Sequence, residues 1–326
     1  MPERLLIQSI ESEKGEWDLS FLQEKTLIES IHTDSPSLKL IIGDRLEVLQ
    51  EMAGIQTGDE IKVSFSDPSE SWMGNMNFII TKIKSLGDPQ GSLKIEAIDK
   101  KLANLFKRDY YLFSQDSLRR IFKILVPEVS TQWIAETPVI QDYHLIHARK
   151  NVLCKQIAKE EGLCVFFQKE RFVAQSIETL LKQDPVLTIE QNKPTADYPL
   201  LEFEWIRPEW IIQETTQFDY QGWEMEKGAI NPEKKQTAPR KLAPFSSPVI
   251  LQNMRVTYVP IVDFAIFGKL SLNAGDVIKI IWHSNWKDLG VQENKPEKIV
   301  IQQISHFSDN KRYLNRIIGC IPYVSK

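Results

Sequence analysis

Residues 58–65 read Gly-Asp-Glu-Ile-Lys-Val-Ser-Phe, and residues 275–282 read Gly-Asp-Val-Ile-Lys-Ile-Ile-Trp. This recurrence constrains the fold more than any other feature of the chain. Glycine before the strand supplies the positive φ that a tight turn needs, and the aspartate after it starts the strand. Ile61, Val63 and Phe65 then alternate with Lys62 and Ser64, the period of a strand with one buried face. Gly58 and Gly275 stand 217 positions apart. Two further segments recur downstream: "NFIITKI" meets "EKIVIQQI" with Ile83 over Ile304, and "LKIEAI" meets "LNRIIG" with Leu93 over Leu314, both at an offset of 221. Three strands therefore recur in order, the second copy carrying four extra residues after its first strand. A duplicated domain should show the same strand order over 55–98 and 272–319, in two separate sheets.

The rest of the chain fills in around these copies. "RLLIQSI", "KTLIESIHT" and "LKLIIGD" read as short strands, and 77–83 with 92–98 as a hairpin around "GDPQG". Residues 99–108 read as a helix with Leu102, Leu105 and Phe106 on one face. Leu118, Ile121, Phe122 and Leu125 follow the i, i+3, i+4, i+7 pattern of a second helix, with Asp116 or Ser117 as its cap. A third helix covers "ARKNVLCKQIAKEEG" and ends at Gly162, and "LCVFF" and "RFVAQ" form a hairpin after it. The final third is β-rich again. It is interrupted by a Pro- and Lys-rich stretch, read as a long loop or arm over 224–248 with Lys227, Lys234, Lys235, Arg240 and Lys241. The fold class expected is α+β, mainly β: a first barrel over 1–108, an α/β insertion over 109–183 and a second barrel over 184–326.

Composition narrows the function. A net charge of −4 with acids and bases interspersed argues against an electrostatic grip on nucleic acid or an anionic membrane. No run of about 18 apolar residues is present, and the first thirty residues lack the basic-then-apolar pattern of a secretory leader. Three cysteines, Cys154, Cys164 and Cys320, fit synthesis in a reducing cytoplasm.

The segment "NVLCKQIAKEEGLCVFFQ" resembles the helix-plus-strand segment of bacteriophage tail hub proteins of the late-control-D type, and of the hub part of type VI secretion spike proteins. The matching positions are Val152, Leu153, Ala158, Glu160, Glu161, Gly162, Phe166 and Phe167; upstream, "DYHLIHARKN" stands where the family has a polar Tyr-Arg-Glu-Ser/Thr-Asp stretch. The resemblance implies two tail-tube-like β-barrels flanking a small α/β insertion. It further implies a homotrimer whose six barrels join a hexameric tail tube, or its initiator, to a trimeric central spike. Neighbouring baseplate proteins would be the other partners, and DNA would pass through the lumen without tight binding. It implies no cofactor, no catalytic residue and no membrane partner, and places the chain in the baseplate of a contractile or related tail, made in the host cytoplasm. With the chain ending at Lys326, the spike is expected to be a separate polypeptide.

Other residues invite other chemistry. His144, His147, Cys154 and Cys164 lack zinc-site spacing, so packing and surface roles are expected. Glu160 and Glu161 suggest a cell-wall hydrolase, but adjacent helical residues point about 100° apart, whereas that reaction needs carboxylates facing one bond. Trp205, Trp210, Trp223, Trp282 and Trp286 suggest a glycan- or nucleic-acid-binding β-module. Trp282 stands at the place of Phe65 in the repeat, which favours packing, and intersubunit contacts explain Trp205 and Trp210 at least as well as a ligand does.

Overall fold

The computed structural model describes residues 6–34, 36–44, 49, 54–67, 72–88, 91–127, 130–134, 140–168, 171–191, 198–206, 219–224, 226–230, 240–243, 247–282, 295–309 and 311–324. Strands β1 (Leu6–Ser12), β2 (Gly15–Glu16), β3 (Leu22–Ser30), β4 (Ser37–Gly43), β5 (Glu60–Asp67), β6 (Trp72–Ser85) and β7 (Ser92–Asp99) come first. Helix α1 (Lys100–Leu105) leads to β8 (Arg108–Ser117), α2 (Leu118–Leu125), β9 (Ser130–Ile134) and β10 (Ile140–Arg149). Then come α3 (Lys150–Glu160), β11 (Leu163–Gln168), β12 (Arg171–Ser176) and α4 (Ile177–Lys182). The remainder is β13 (Leu187–Glu190), β14 (Glu202–Trp205), β15 (Asp219–Glu224), β16 (Gly228–Ile230), β17 (Arg240–Leu242), α5 (Pro248–Asn253), β18 (Val256–Phe267), β19 (Val277–Ile281), β20 (Lys298–Asp309) and β21 (Tyr313–Val324).

Among the described residues thirteen strands make one sheet in the order β14-β18-β21-β20-β3-β4-β7-β6-β5-β1-β2, with β19 and β13 branching from β20. Within it the order β3-β4-β7-β6-β5 recurs as β14-β18-β21-β20-β19, every neighbouring pair antiparallel. The registers agree residue by residue. A bulge interrupts β6 against β7 between Ile80 and Lys82, and β20 against β21 between Ile301 and Gln303, 221 positions on. The copies part at the next strand: β1 runs antiparallel to β5, whereas β13, arriving from α4, runs parallel to β19.

Two expectations are corrected here. Leu93 does not stand over Leu314: Ile83 pairs Ile95 and Ile304 pairs Ile317, which sets the offset of the last strand at 222 and puts Leu93 over Asn315. Both of those side chains are buried, while Leu314 lies on the other face. With a side-chain period of two, a one-residue slip exchanges the faces. Nor do the copies lie in two separate sheets: among the described residues no closed barrel forms, and the two copies share one sheet through β3. The long strand β20 explains this. Its start, Lys298–Val300, holds β19, and the same edge from Gln303 to Asp309 holds β3.

The insertion builds its own core. Helix α2, capped by the Ser117 hydroxyl accepting from the Arg120 amide, buries Leu118, Ile121, Phe122 and Leu125. These pack with Leu153, Cys154 and Ile157 of α3 against the sheet β11-β12-β9, and α3 ends at Gly162 with φ +63°. Part of the segment read as a loop over 224–248 is ordered: β16 and β17 flank β15 in a small sheet, where Tyr220 accepts a hydrogen bond from Lys159 of α3 at 2.6 Å. Lys234 and Lys235 lie outside the described residues.

The shared sheet predicts one cooperative unfolding unit. Leu27, 2 % exposed at the centre of β3, packs in a core that also holds Leu270 and Tyr313 of the second copy. Leu27→Ala is expected to cost about 2–5 kcal/mol. Urea titrations followed by tryptophan fluorescence and by circular dichroism should shift together; a variant that melts the first copy alone would show that the copies are energetically separate.

Candidate functional site

The repeated Gly-Asp turn is the element from which the junction between the copies is built. In the first copy the Gly58 amide donates to the Ile80 carbonyl at 2.7 Å and the Ile80 amide to the Asp59 carbonyl at 2.9 Å. In the second the Gly275 amide donates to Ile301 at 2.9 Å and Ile301 to Asp276 at 2.8 Å. Each aspartate closes its own turn with Oδ2, which accepts from the Gln56 amide at 2.9 Å and from the Asn273 amide at 2.8 Å. Both glycines have positive φ, +97° and +87°. The turn lifts the short strand away from the long one at Ile80 and at Ile301, so the edge of the long strand beyond that residue is open to another partner.

In the second copy that partner is β3. It pairs antiparallel from Gln303 opposite Ser30 to Asp309 opposite Glu24, and the Ile31 amide adds a bond to the Gln302 carbonyl at 2.9 Å. Gly268 admits the tight packing behind it: a Cβ there would lie 2.1 Å from the Tyr313 ring, whose hydroxyl is 2.9 Å from His306 Nδ1. In the first copy the corresponding edge is Thr81–Ser85, and no described strand pairs with it there.

The insertion docks on the second turn through the two neighbouring aromatics of β11. Phe167 points into the insertion core beside Phe172, ring centroids 5.2 Å apart. Phe166 points the other way, into a cluster with Ile31, Ala274, Val277, Val300 and Cys320. A Cβ on Gly275 would lie 2.6 Å from Phe166 Cζ. Gln168 Nε2 donates to the Ala274 carbonyl at 3.2 Å and to Asp276 Oδ1 at 3.1 Å. The first turn has a different neighbour: Lys14 Nζ lies 3.0 Å from Asp59 Oδ2, its hydrogen bond holds that carboxyl below the usual range, and nothing lies within 4 Å of a Cβ on Gly58.

The remaining candidates are dispersed. Glu160 Oε1 accepts from Gln156 at 2.9 Å and its carbonyl from Asn253 Nδ2 at 3.1 Å. Glu161 Oε1 accepts from the Tyr143 hydroxyl at 3.3 Å, and burial pushes its acid up. Both carboxylates stand at the C-terminal end of α3 and reach the Tyr143 hydroxyl, whose ionisation burial and the two acids oppose. His144 and His147 are exposed on β10, while Cys154 and Cys164 are buried, with the Cys154 thiol pushed up to about 12 by burial. Among the described residues no three potential ligands cluster around a metal position. Trp282 packs on the second core and donates to the Pro296 carbonyl at 3.1 Å; Trp210 and Trp286 lie outside the described residues. The segment "LLEFEWI" reads as a strand, and β14 lies within it: Phe203 and Trp205 are each 37 % exposed, and the Trp205 ring tilts against Trp282 with centroids 4.7 Å apart and Lys295 over both rings.

No family model and no curated protein sequence matches the chain. Solved structures do. A tail protein from Neisseria meningitidis matches with TM-score 0.65 at 11 % identity, over 98 % of this chain and 97 % of that one. The 43 kDa tail protein of prophage MuSo2 from Shewanella oneidensis matches with TM-score 0.60 at 11 % identity, over 97 % and 96 %. An E. coli component of the type VI secretion system, described as structurally similar to two T4 bacteriophage tail proteins, matches with TM-score 0.53 at 11 % identity, over 99 % and 77 %. The chain has the fold of these tail and secretion proteins.

The two turns differ in what a side chain would meet, and this separates backbone strain from packing. Gly58→Ala should cost about 1–2 kcal/mol, the strain of a left-handed residue. Gly275→Ala should cost about 1–3 kcal/mol more, because Phe166 must also move. Chemical denaturation of both variants checks this; equal costs would show that the Phe166 contact does not hold the insertion to the turn.

Proposed function

We propose that the chain is the structural hub of a phage or phage-like tail baseplate. Three copies form a ring with pseudo-sixfold symmetry that joins the hexameric tail tube, or its initiator, to a trimeric central spike. The observation that carries this reading is the same five-strand unit present twice in one chain, joined edge to edge. A symmetric interface must be matched patch for patch, and a chain with two equivalent units presents six units from three copies. The likeness to phage tail proteins and to a type VI secretion component supports it.

The role is an adaptor's and requires no active site. The sheet's solvent face suits a channel wall that DNA passes without sticking, because its basic residues sit beside acids: Lys94 lies 3.0 Å from Glu96, and Arg316 lies 3.0 Å from Asp263. Isolated lysines would bind phosphate by counterion release. In this reading the exposed segment that carries Lys227 and Lys241, beside the small sheet on α3, faces neighbouring baseplate proteins. The turn residues Gly58, Asp59, Gly275 and Asp276 and the motif residues Glu160, Glu161, Gly162, Phe166 and Phe167 serve the architecture rather than catalysis.

Native mass spectrometry tests the reading. Three chains of 37.7 kDa give about 113 kDa, and this species is expected for the purified chain at high concentration or on addition of its spike. A monomer that ignores both the tube protein and the spike would contradict the hub and favour a glycan- or nucleic-acid-binding module.

A further inference from the structure

We propose that the outer face of the β8–β10 ribbon is the docking site for an acidic polypeptide segment of a partner protein. The segment lays apolar side chains over Tyr110, Leu112 and Ile146 and sets a carboxylate between Arg108 and Arg149. The ribbon belongs to the insertion, and the inference goes beyond the ring reading without depending on it.

Among the described residues β8 and β10 pair only with each other. One face of this ribbon covers the insertion core through Phe113, Tyr143 and Leu145. The other face is in solvent, yet it is apolar. Leu112 is 83 % exposed, Ile146 70 % and Tyr110 64 %. These side chains are not scattered. Tyr110 stands opposite Ile146 and Leu112 opposite His144, so the four make one patch, and the Tyr110 ring centroid lies 5.3 Å from that of His147. Single exposed apolar residues need no explanation, whereas a contiguous patch with a polar rim marks an interaction surface.

The charge beside the patch selects the partner. Arg108 and Arg149 stand directly opposite each other at the base of the same face. Like charges so placed oppose strand pairing. A bulge creates the arrangement: His147 is the extra residue, and without it Ala148 rather than Arg149 would face Arg108. His147 and Gln115, with φ of +47° and +51°, are the two non-glycine residues with positive φ among the described residues, and each lies at a bulge of this ribbon. Bulges re-aim side chains, and strained residues of this kind gather at functional surfaces. The acids of the ribbon are engaged elsewhere. Asp109 pairs with Lys150 at 3.4 Å and Asp116 with Arg120 at 2.7 Å, while Asp142 accepts from the Gln115 amide at 2.7 Å. The Arg149 guanidinium lies 5.9 Å from the Phe106 ring centroid, which steadies it without neutralising it. A carboxylate is the group that a guanidinium fork binds best among protein side chains. Two facing arginines beside a bulky apolar patch therefore complement a segment that carries acids next to large apolar side chains. Two cations on a chain of net charge −4 are a weak attraction to an anionic membrane.

Fluorescence anisotropy of the full chain with a labelled synthetic peptide of glutamate, leucine and tyrosine tests this. Saturable binding with a Kd below about 1 mM is expected. The same peptide with lysine in place of glutamate should bind about tenfold more weakly or worse. Arg108→Glu with Arg149→Glu, and separately Leu112→Ser with Ile146→Ser, should each weaken the acidic peptide by about tenfold or more. All four side chains are exposed, so both double variants should keep native circular dichroism. No binding of the acidic peptide, or binding that both double variants retain, overturns the proposal. Two further outcomes overturn it by giving the face another occupant. Sedimentation with phosphatidylglycerol vesicles that the variants abolish, without peptide binding, assigns it to a membrane. Loss of a native oligomer in the variants assigns it to a contact between copies. Native mass of the unmodified chain is read separately, so failure of the hub reading and failure of this one are distinguishable.

Discussion

The architecture depends on how a long strand shares one edge between two partners. β20 holds β19 along its first residues and β3 along the rest, and the Gly275–Asp276 turn marks the handover. The physical requirement is modest. A glycine with positive φ turns the chain, an aspartate fixes the turn with its own carboxylate, and the short strand leaves the sheet where its neighbour's edge is still unpaired. Unpaired amides and carbonyls must find partners, and here another strand supplies them. A β-unit is thereby converted into a link that can be joined to the next unit in register.

The insertion is locked to the same place. Phe166 and Phe167 are adjacent in β11, so they point to opposite faces, and both faces are buried. Phe167 belongs to the insertion's own core, whereas Phe166 covers the second turn and touches the junction cluster. The first turn has Lys14 at the equivalent carboxylate and open space above its glycine. One turn thus serves two roles: in the second copy it anchors a domain, and in the first it remains at the surface.

Much of this could be read from the residues. The Gly-Asp turn, the alternation after it and the pairing of Phe65 with Trp282 identified the repeated strand, and the helices of the insertion declared themselves by spacing and caps at Ser117 and Gly162. The failures have physical causes. Leu93 and Leu314 share a residue type but not a face, because the hairpin loop gains one residue and the true register follows the bulge rather than the leucine. β4 and β18, or β3 and β14, share geometry with little sequence, since a strand is defined by which positions are buried rather than by which apolar residue fills them. The continuity of the sheet was out of reach, because β3 and β20 lie more than 270 positions apart and nothing local announces their pairing. The aromatic pair Trp205 and Trp282 was visible as composition, but its role at an edge emerges only once the counterpart strand is known.

The central claim is that the strand unit present twice in one chain supplies six like units to a ring of three copies. The most direct test is an electron cryomicroscopy reconstruction of the chain assembled with its tube and spike. The account predicts a three-chain ring with near-sixfold density through the sheet layer, the two units of each chain taking equivalent places. A ring in which the two units take unrelated places, with threefold density alone through that layer, would contradict it.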